Sequence, residues 1–277
     1  MRRLLPLLLA AVAAGCGSEA GGSESSRVVA TTPVVADLAA MLTGEQVASI
    51  VPAGADPHDY EIRPEDAEAL AGAEVVLRSG GDLDEWLGEA IEGTGAGAEV
   101  VTVGPGGEDP HWWHDPRAAV GAVERIAAVT GADAAAARER IEAMDRAIAA
   151  CVGTVAADRR KLVTTHDALG MYARRYGFEV IGTVIPSLST QAQPSARATA
   201  QLARDVRAAG VPVIFPETSV SPKVEQAIAR EAGAEVGPPL HADTLGEGVG
   251  YIEAMAANTL AIVAGLGGDV AACDLAV

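Results

Sequence analysis

Asp133-Ala134-Ala135-Ala136-Ala137-Arg138-Glu139-Arg140-Ile141-Glu142-Ala143-Met144-Asp145-Arg146-Ala147-Ile148-Ala149-Ala150-Cys151-Val152-Gly153-Thr154-Val155-Ala156-Ala157 holds no proline, and its one breaker is Gly153. Apolar Ile141, Met144, Ile148, Cys151 and Val155 recur at three- and four-residue steps, so one helical face is buried. About 25 residues at 1.5 Å each predict a helix about 37 Å long, beyond the usual length in a compact domain. The run is too short for several coiled-coil heptads, so it reads as a strut between two lobes.

On both sides of this strut, short β-branched runs alternate with helical ones. Before it, 28–31, 47–51, 75–77 and 100–103 read as strands, and 34–42, 64–70, 82–91 and 117–129 as helices. After it, 162–165, 178–184, 213–215 and 234–236 read as strands, and 168–176, 195–209, 224–231 and 247–266 as helices. Such alternation argues for parallel sheets covered by helices. The expected fold is α/β: two lobes, 27–131 and 158–277, each a mostly parallel sheet flanked by helices, joined by one long rigid helix over 132–157. No fine-grained repeat relates the halves.

The first fifteen residues read as a lipoprotein signal peptide. Arg2 and Arg3 precede an apolar run to Ala14 that is too short to span a bilayer, and small Ala13-Ala14-Gly15 precede Cys16. Small residues ending in cysteine resemble a bacterial lipobox, which implies cleavage before Cys16 and a lipid on its sulfur. Residues 16–26 follow as a Gly/Ser/Glu tether. The expected location is extracytoplasmic: lipid-anchored on the outer face of the cell membrane, or periplasmic. The membrane is then met only through the lipid. With Cys16 so used, Cys151 and Cys273 are candidates for a disulfide in that oxidising setting, although spacing alone does not bring them together. Neither has a Cys-x-x-Cys neighbour, which argues against thiol redox catalysis.

The formal charge is −18, from 20 Lys+Arg against 38 Asp+Glu. Such a surface repels nucleic acid and anionic lipid and concentrates cations.

The chemistry gathers at few positions, because there are only five histidines. Asp109-Pro110-His111-Trp112-Trp113-His114-Asp115-Pro116 holds two of them between prolines, which reads as a rigid loop. His58 lies in a Pro/Gly/Asp loop after one strand, His166 at the carboxyl end of another, and Asp243 in a loop after a third. In open α/β sheets, ligands collect outside the carboxyl ends of strands. Three imidazoles and one carboxylate, His58, His111, His166 and Asp243, fit a four-coordinate Zn²⁺. A manganese site is expected to carry more carboxylate.

Four ordered segments carry a resemblance. They are Ala55-Asp56-Pro57-His58-Asp59-Tyr60-Glu61, Asp109-Pro110-His111-Trp112-Trp113, Thr165-His166-Asp167-Ala168-Leu169-Gly170-Met171-Tyr172 and Ala242-Asp243-Thr244-Leu245-Gly246, with Phe215-Pro216-Glu217 as a further match. Together they resemble the substrate-binding proteins of zinc and manganese ABC transporters, the cluster typified by zinc-uptake periplasmic proteins. The resemblance implies two α/β lobes joined by one long helix and a transported metal held by His58, His111, His166 and Asp243. It also implies zinc, because the family's manganese binders usually place glutamate where His166 stands. It further implies an ABC permease as partner, with a metallochaperone as a candidate loader. The chain departs from the family in two places. The His- and acid-rich loop of many zinc members is short here, 104–109, and lacks histidine. His114 stands where an apolar residue is usual.

The remaining residues have open readings. His114 is expected beside the site or at the surface, and His241 at its rim. Asp59 either orients a ligand histidine or is a solvated loop acid. Glu217 either sits near the site or caps a helix start. Trp112 and Trp113 are expected to pack the loop and keep the metal dry, and Trp86 to lie in the core. Capture of Zn²⁺ between the lobes for delivery to a permease competes with a manganese binder, a zinc hydrolase and an adhesin with a structural zinc. The hydrolase lacks His-Glu-x-x-His, a nucleophile elbow and an open fourth ligand position, so no enzyme is expected. The acidic surface without an aromatic patch lends the adhesin no support.

Overall fold

The computed structural model describes residues 28–95 and 97–275. The signal peptide, the tether and lipidation at Cys16 fall outside the described residues.

Four parallel strands, β1 (Val28–Ala30), β2 (Ala48–Ser49), β3 (Val75–Arg78) and β4 (Glu99–Thr102), form the first sheet in the order β2-β1-β3-β4. The strand expected over 47–51 is regular for two residues only. Its hydrogen bonds run on, because the Ile50 and Val51 N–H groups donate to the Ala30 and Thr31 carbonyls at 2.9 and 3.0 Å. Helices α1 (Pro33–Thr43), α2 (Pro64–Gly72), α3 (Leu87–Thr94) and α4 (Pro116–Thr130) cover this sheet. Thr32 caps α1 through its hydroxyl, and Pro33 sits in the first turn, where a missing N–H costs nothing. The helix expected from residue 82 starts only at Leu87, after consecutive turns. Trp86, expected in the core, is half-buried against Tyr60.

In the second half, β5 (Lys161–His166) pairs with β6 (Glu179–Ile185), and β7 (Val213–Ile214) with β8 (Glu235–Val236), all parallel. A parallel bridge between Thr164 and Phe215, with the Phe215 N–H donating to the Val163 carbonyl at 2.9 Å, lays β7 beside β5. The order is therefore β6-β5-β7-β8, the same winding as the first sheet. The repeat absent from the residues is present in the topology. Helices α6 (Gly170–Tyr176), α7 (Ala196–Ala209), α8 (Lys223–Ala232) and α9 (Tyr251–Gly265) complete this half.

Helix α5 (Ala135–Val152) joins the halves, and it corrects the expected strut. Eighteen residues give about 27 Å rather than 37. The helix stops because Gly153 is a poor helix former and the Thr154 hydroxyl donates to the Cys151 carbonyl at 2.8 Å. Cys151, in its last turn, is bonded to Cys273 beyond α9. The face of Ile141, Met144, Ile148 and Cys151 is fully buried. It packs against α4 and α1 on one side and α9 on the other. One apolar cluster accordingly runs from Val35, Leu38 and Ile126 through α5 to Leu162, Tyr172, Phe215 and Ile262. The halves share a core.

Candidate metal centre

Each of the four candidate ligands follows a carboxyl end of a strand. His58 sits after β2, His111 after β4, His166 ends β5, and Asp243 follows β8. His58 lies in a 3₁₀ turn, Pro57–Asp59, whose entry is fixed by the Asp56 carboxylate accepting the His58 N–H at 3.0 Å. His111 opens a second 3₁₀ turn, Trp112–His114. Trp112 holds that turn to β3 by donating its indole N–H to the Ser79 carbonyl and hydroxyl at 3.2 and 3.1 Å. A Cβ at Gly104 would come within 2.6 Å of this indole, so only glycine leaves room.

The four side chains meet between the halves, with one ligand atom from each inside 4.8 Å of the others. His111 Nε2 lies 3.3 Å from His58 Nε2 and 3.2 Å from His166 Nε2. Asp243 Oδ1 lies 3.2 Å from His111 Nε2, and Oδ2 lies 3.4 Å from His166 Nε2 and 3.8 Å from His58 Nε2. Zn–N bonds of about 2.0–2.1 Å in a tetrahedron separate the donors by about 3.3 Å. Asp243 is wholly buried, and its oxygens face the three imidazoles without another hydrogen-bond partner. Burying an ionised carboxylate in this way is costly unless a cation meets it.

The rings are oriented from behind. Asp109 Oδ1 accepts both the backbone N–H and the Nδ1–H of His111, at 3.1 and 3.0 Å. Glu217 does the same for His166, at 2.9 and 2.7 Å. Each carboxylate fixes a tautomer that leaves Nε2 free to face the centre. The sequence reading left Glu217 open and missed Asp109, although an aspartate two residues before a histidine across a proline is a signal for such a turn. Asp59, the candidate for this role, is solvent-exposed. Thr190 and Gln191 were missed as well. They reach across from the second half to the Asp56 carboxylate at 2.6 Å and the His58 carbonyl at 2.5 Å.

His114 is buried, and its Nε2 lies 2.9 Å from the Ala242 carbonyl. His241 is half-buried, with its backbone bracketed by Asn258 at 2.8 Å on both sides. Trp112 and Trp113 are both buried, and Trp113 stands edge-on to His111 at 5.5 Å.

Charge in this dry site is strongly coupled. Burial disfavours a proton on His166, but Asp243 and Glu217 outweigh it and push its pKa up to about 10. Burial likewise opposes protonation of His111, yet Asp109 and Asp243 raise it. His58 goes down, because burial and the two neighbouring imidazoles outweigh Asp243. Asp243 is driven well below the carboxylate range by His166 and His111 despite its burial. Protons on His166 and His111 and a cation at the centre would therefore draw on the same buried carboxylates.

This fold and this site define a class: a two-lobed α/β protein with a cluster between its halves that could hold a metal ion. The family model for ZnuA, "zinc-uptake complex component A periplasmic", matches residues 28–265, and the chain belongs to that family. It is a metal-binding, extracytoplasmic substrate-binding protein of the ABC-transporter type, and its family consists of transport proteins rather than enzymes. The manganese-binding lipoprotein MntA of Halalkalibacterium halodurans is 28% identical, over 94% of this chain and 96% of the relative. The metal ABC transporter substrate-binding lipoprotein FimA of Streptococcus parasanguinis is 24% identical, over 94% and 95%. The high-affinity zinc uptake system protein ZnuA of Paracoccus denitrificans is 26% identical, over 95% and 98%. The periplasmic zinc-binding protein TroA from Treponema pallidum superposes with a TM-score of 0.79 at 27% identity, covering 86% of this chain and 98% of its own.

Proposed function

We propose that this chain captures Zn²⁺ with His58, His111, His166 and Asp243 and delivers it to an ABC permease, anchored meanwhile by a lipid on Cys16. The observation that carries this reading is the convergence of three Nε2 atoms on the buried, otherwise unpartnered Asp243 carboxylate. Nitrogen-rich ligation favours zinc. His111 Nε2 lies 3.3 and 3.2 Å from the other two imidazole nitrogens, separations that fit a zinc tetrahedron. Trp112 and Trp113 exclude water, which strengthens each bond to a cation. Because the halves share a core, release is a local loosening of the ligand loops at the permease rather than a wide opening.

Manganese is the second reading. MntA carries it by name, and both Asp243 oxygens face the centre, which adds oxygen donors. Elemental analysis of the purified mature protein, beside His166→Ala, separates the two. The zinc reading predicts one equivalent of zinc in the parent and a large loss in the variant. One equivalent of manganese overturns zinc, and no bound metal in either protein overturns both.

A further inference from the structure

His114 has no place among the candidate ligands, and its surroundings are costly. Its Nε2–H donates to the Ala242 carbonyl at 2.9 Å, and the Trp113 indole N–H donates to the same oxygen at 2.9 Å. A carbonyl oxygen has two lone pairs, so both are used. A carbonyl carries no proton, so the proton of this bond sits on His114 Nε2 and Nδ1 is left an acceptor. That Nδ1 is buried and has no partner. A leucine would fill the space without orphaning a polar atom, so the histidine is destabilising here except for the one bond it makes.

That bond falls on the peptide immediately before Asp243. Two donors from one turn of the first half thus grip the second-half loop that carries the buried carboxylate. Asn258 holds the residue before Ala242 through the His241 N–H and carbonyl. The Thr244 hydroxyl accepts the Gly54 N–H at 3.0 Å on the far side. Tyr251 braces the grip by donating its hydroxyl to the Trp113 carbonyl at 2.6 Å. The turn that supplies His111 therefore also supplies the clamp on Asp243.

We propose that His114 is a positioning residue for metal capture: with Trp113 it holds the Ala242 peptide so that both Asp243 oxygens face His58, His111 and His166. This rests on Asp243 being a metal ligand. Removing the donor frees the carboxylate to turn, so the metal leaves faster and its coordination changes, while the metal-free fold is no weaker.

The test compares His114→Leu and His114→Gln in the full mature chain, with Asp243→Ala as reference. Glutamine carries an N–H at the reach of Nε2. The readouts are Zn²⁺ dissociation into a chelator, the visible spectrum of the Co²⁺-loaded protein, and metal-free thermal stability. His114→Leu is expected to release Zn²⁺ about tenfold faster or more, as for other residues that orient ligands. It should also alter the Co²⁺ bands and melt no lower than the parent, and His114→Gln should restore rate and spectrum. Parental release and spectrum in His114→Leu, beside weak binding in Asp243→Ala, overturn the clamp and leave the site intact. Parental binding in Asp243→Ala overturns the site itself. Should His114→Leu fail to fold, His114→Asn replaces it, since its N–H stops short of the carbonyl. Equal behaviour of the Asn and Gln variants then overturns the proposal.

Discussion

Glu217 holds His166 at two points: one carboxylate oxygen, Oε1, accepts its backbone N–H at 2.9 Å and its Nδ1–H at 2.7 Å. Asp109 repeats the arrangement on His111 in the other half. Glu217→Gln keeps the shape but can turn an amide N–H toward Nδ1, and it removes the charge that orients the ring. Zn²⁺ affinity is expected to fall about 10- to 100-fold, with Asp109→Asn in the same direction. Competition with a chromophoric chelator measures this, and unchanged affinity in both variants would show that neither carboxylate positions its histidine.

In the proposed site, protons and metal compete for the same nitrogens. His166 titrates near 10 in the metal-free protein against an ordinary value of 6.5, held up by Asp243 and Glu217. A raised folded value means that the stabilisation is fully present below pH 6.5 and is lost as pH rises through about 10. Metal-free protein is therefore expected to lose stability across that window. Zn²⁺ uptake at pH 7.5 should release protons and strengthen on the way up. Titration calorimetry in buffers of different protonation enthalpy counts those protons, and a count of zero sinks this account of the site.

The Cys151–Cys273 bond ties the end of α5 to the segment after α9, and, among the described residues, neither cysteine shares a hydrogen-bond partner with the four candidate ligands. A Cys151→Ser, Cys273→Ser double variant is expected to lose about 2–4 kcal/mol of stability. Its Zn²⁺ affinity should stay within about threefold of the parent, because groups with no shared partners act nearly independently. Denaturant unfolding and metal competition on the same samples check both halves of the statement. An affinity loss as large as that of Glu217→Gln would refute the separation of staple from site.

The apolar cluster running through α5 predicts little domain motion. The radius of gyration from solution scattering should be nearly the same with and without Zn²⁺. A closure comparable to that of hinge-type binding proteins would mean that the shared core opens.

Much of this was legible in the residues. Strand–helix alternation announced parallel sheets because both periodicities were clean, and His58, His111, His166 and Asp243 stood out because histidine is scarce and each followed a strand. Other features depended on distance. The end of α5 at Val152 coincides with Gly153, a breaker visible in the sequence, but the Thr154 hydroxyl that caps the Cys151 carbonyl there is not visible in a periodicity. The matched winding of the two sheets lies in hydrogen-bond order, which unlike sequences satisfy equally well. Glu217 already stood out with two open readings, whereas Asp109 gained its role only when folding placed it behind His111. His114 read as a residue beside the site or at the surface, and its bond to Ala242 of the other half is a contact that only folding makes.

Four side chains from both halves are proposed to share one ion. Anomalous diffraction above and below the zinc absorption edge, from crystals of the mature protein grown with one equivalent of Zn²⁺, locates it. A single zinc peak about 2 Å from His58, His111, His166 and Asp243 is the expected result. A fully occupied zinc peak elsewhere, with these four side chains left empty, would contradict it.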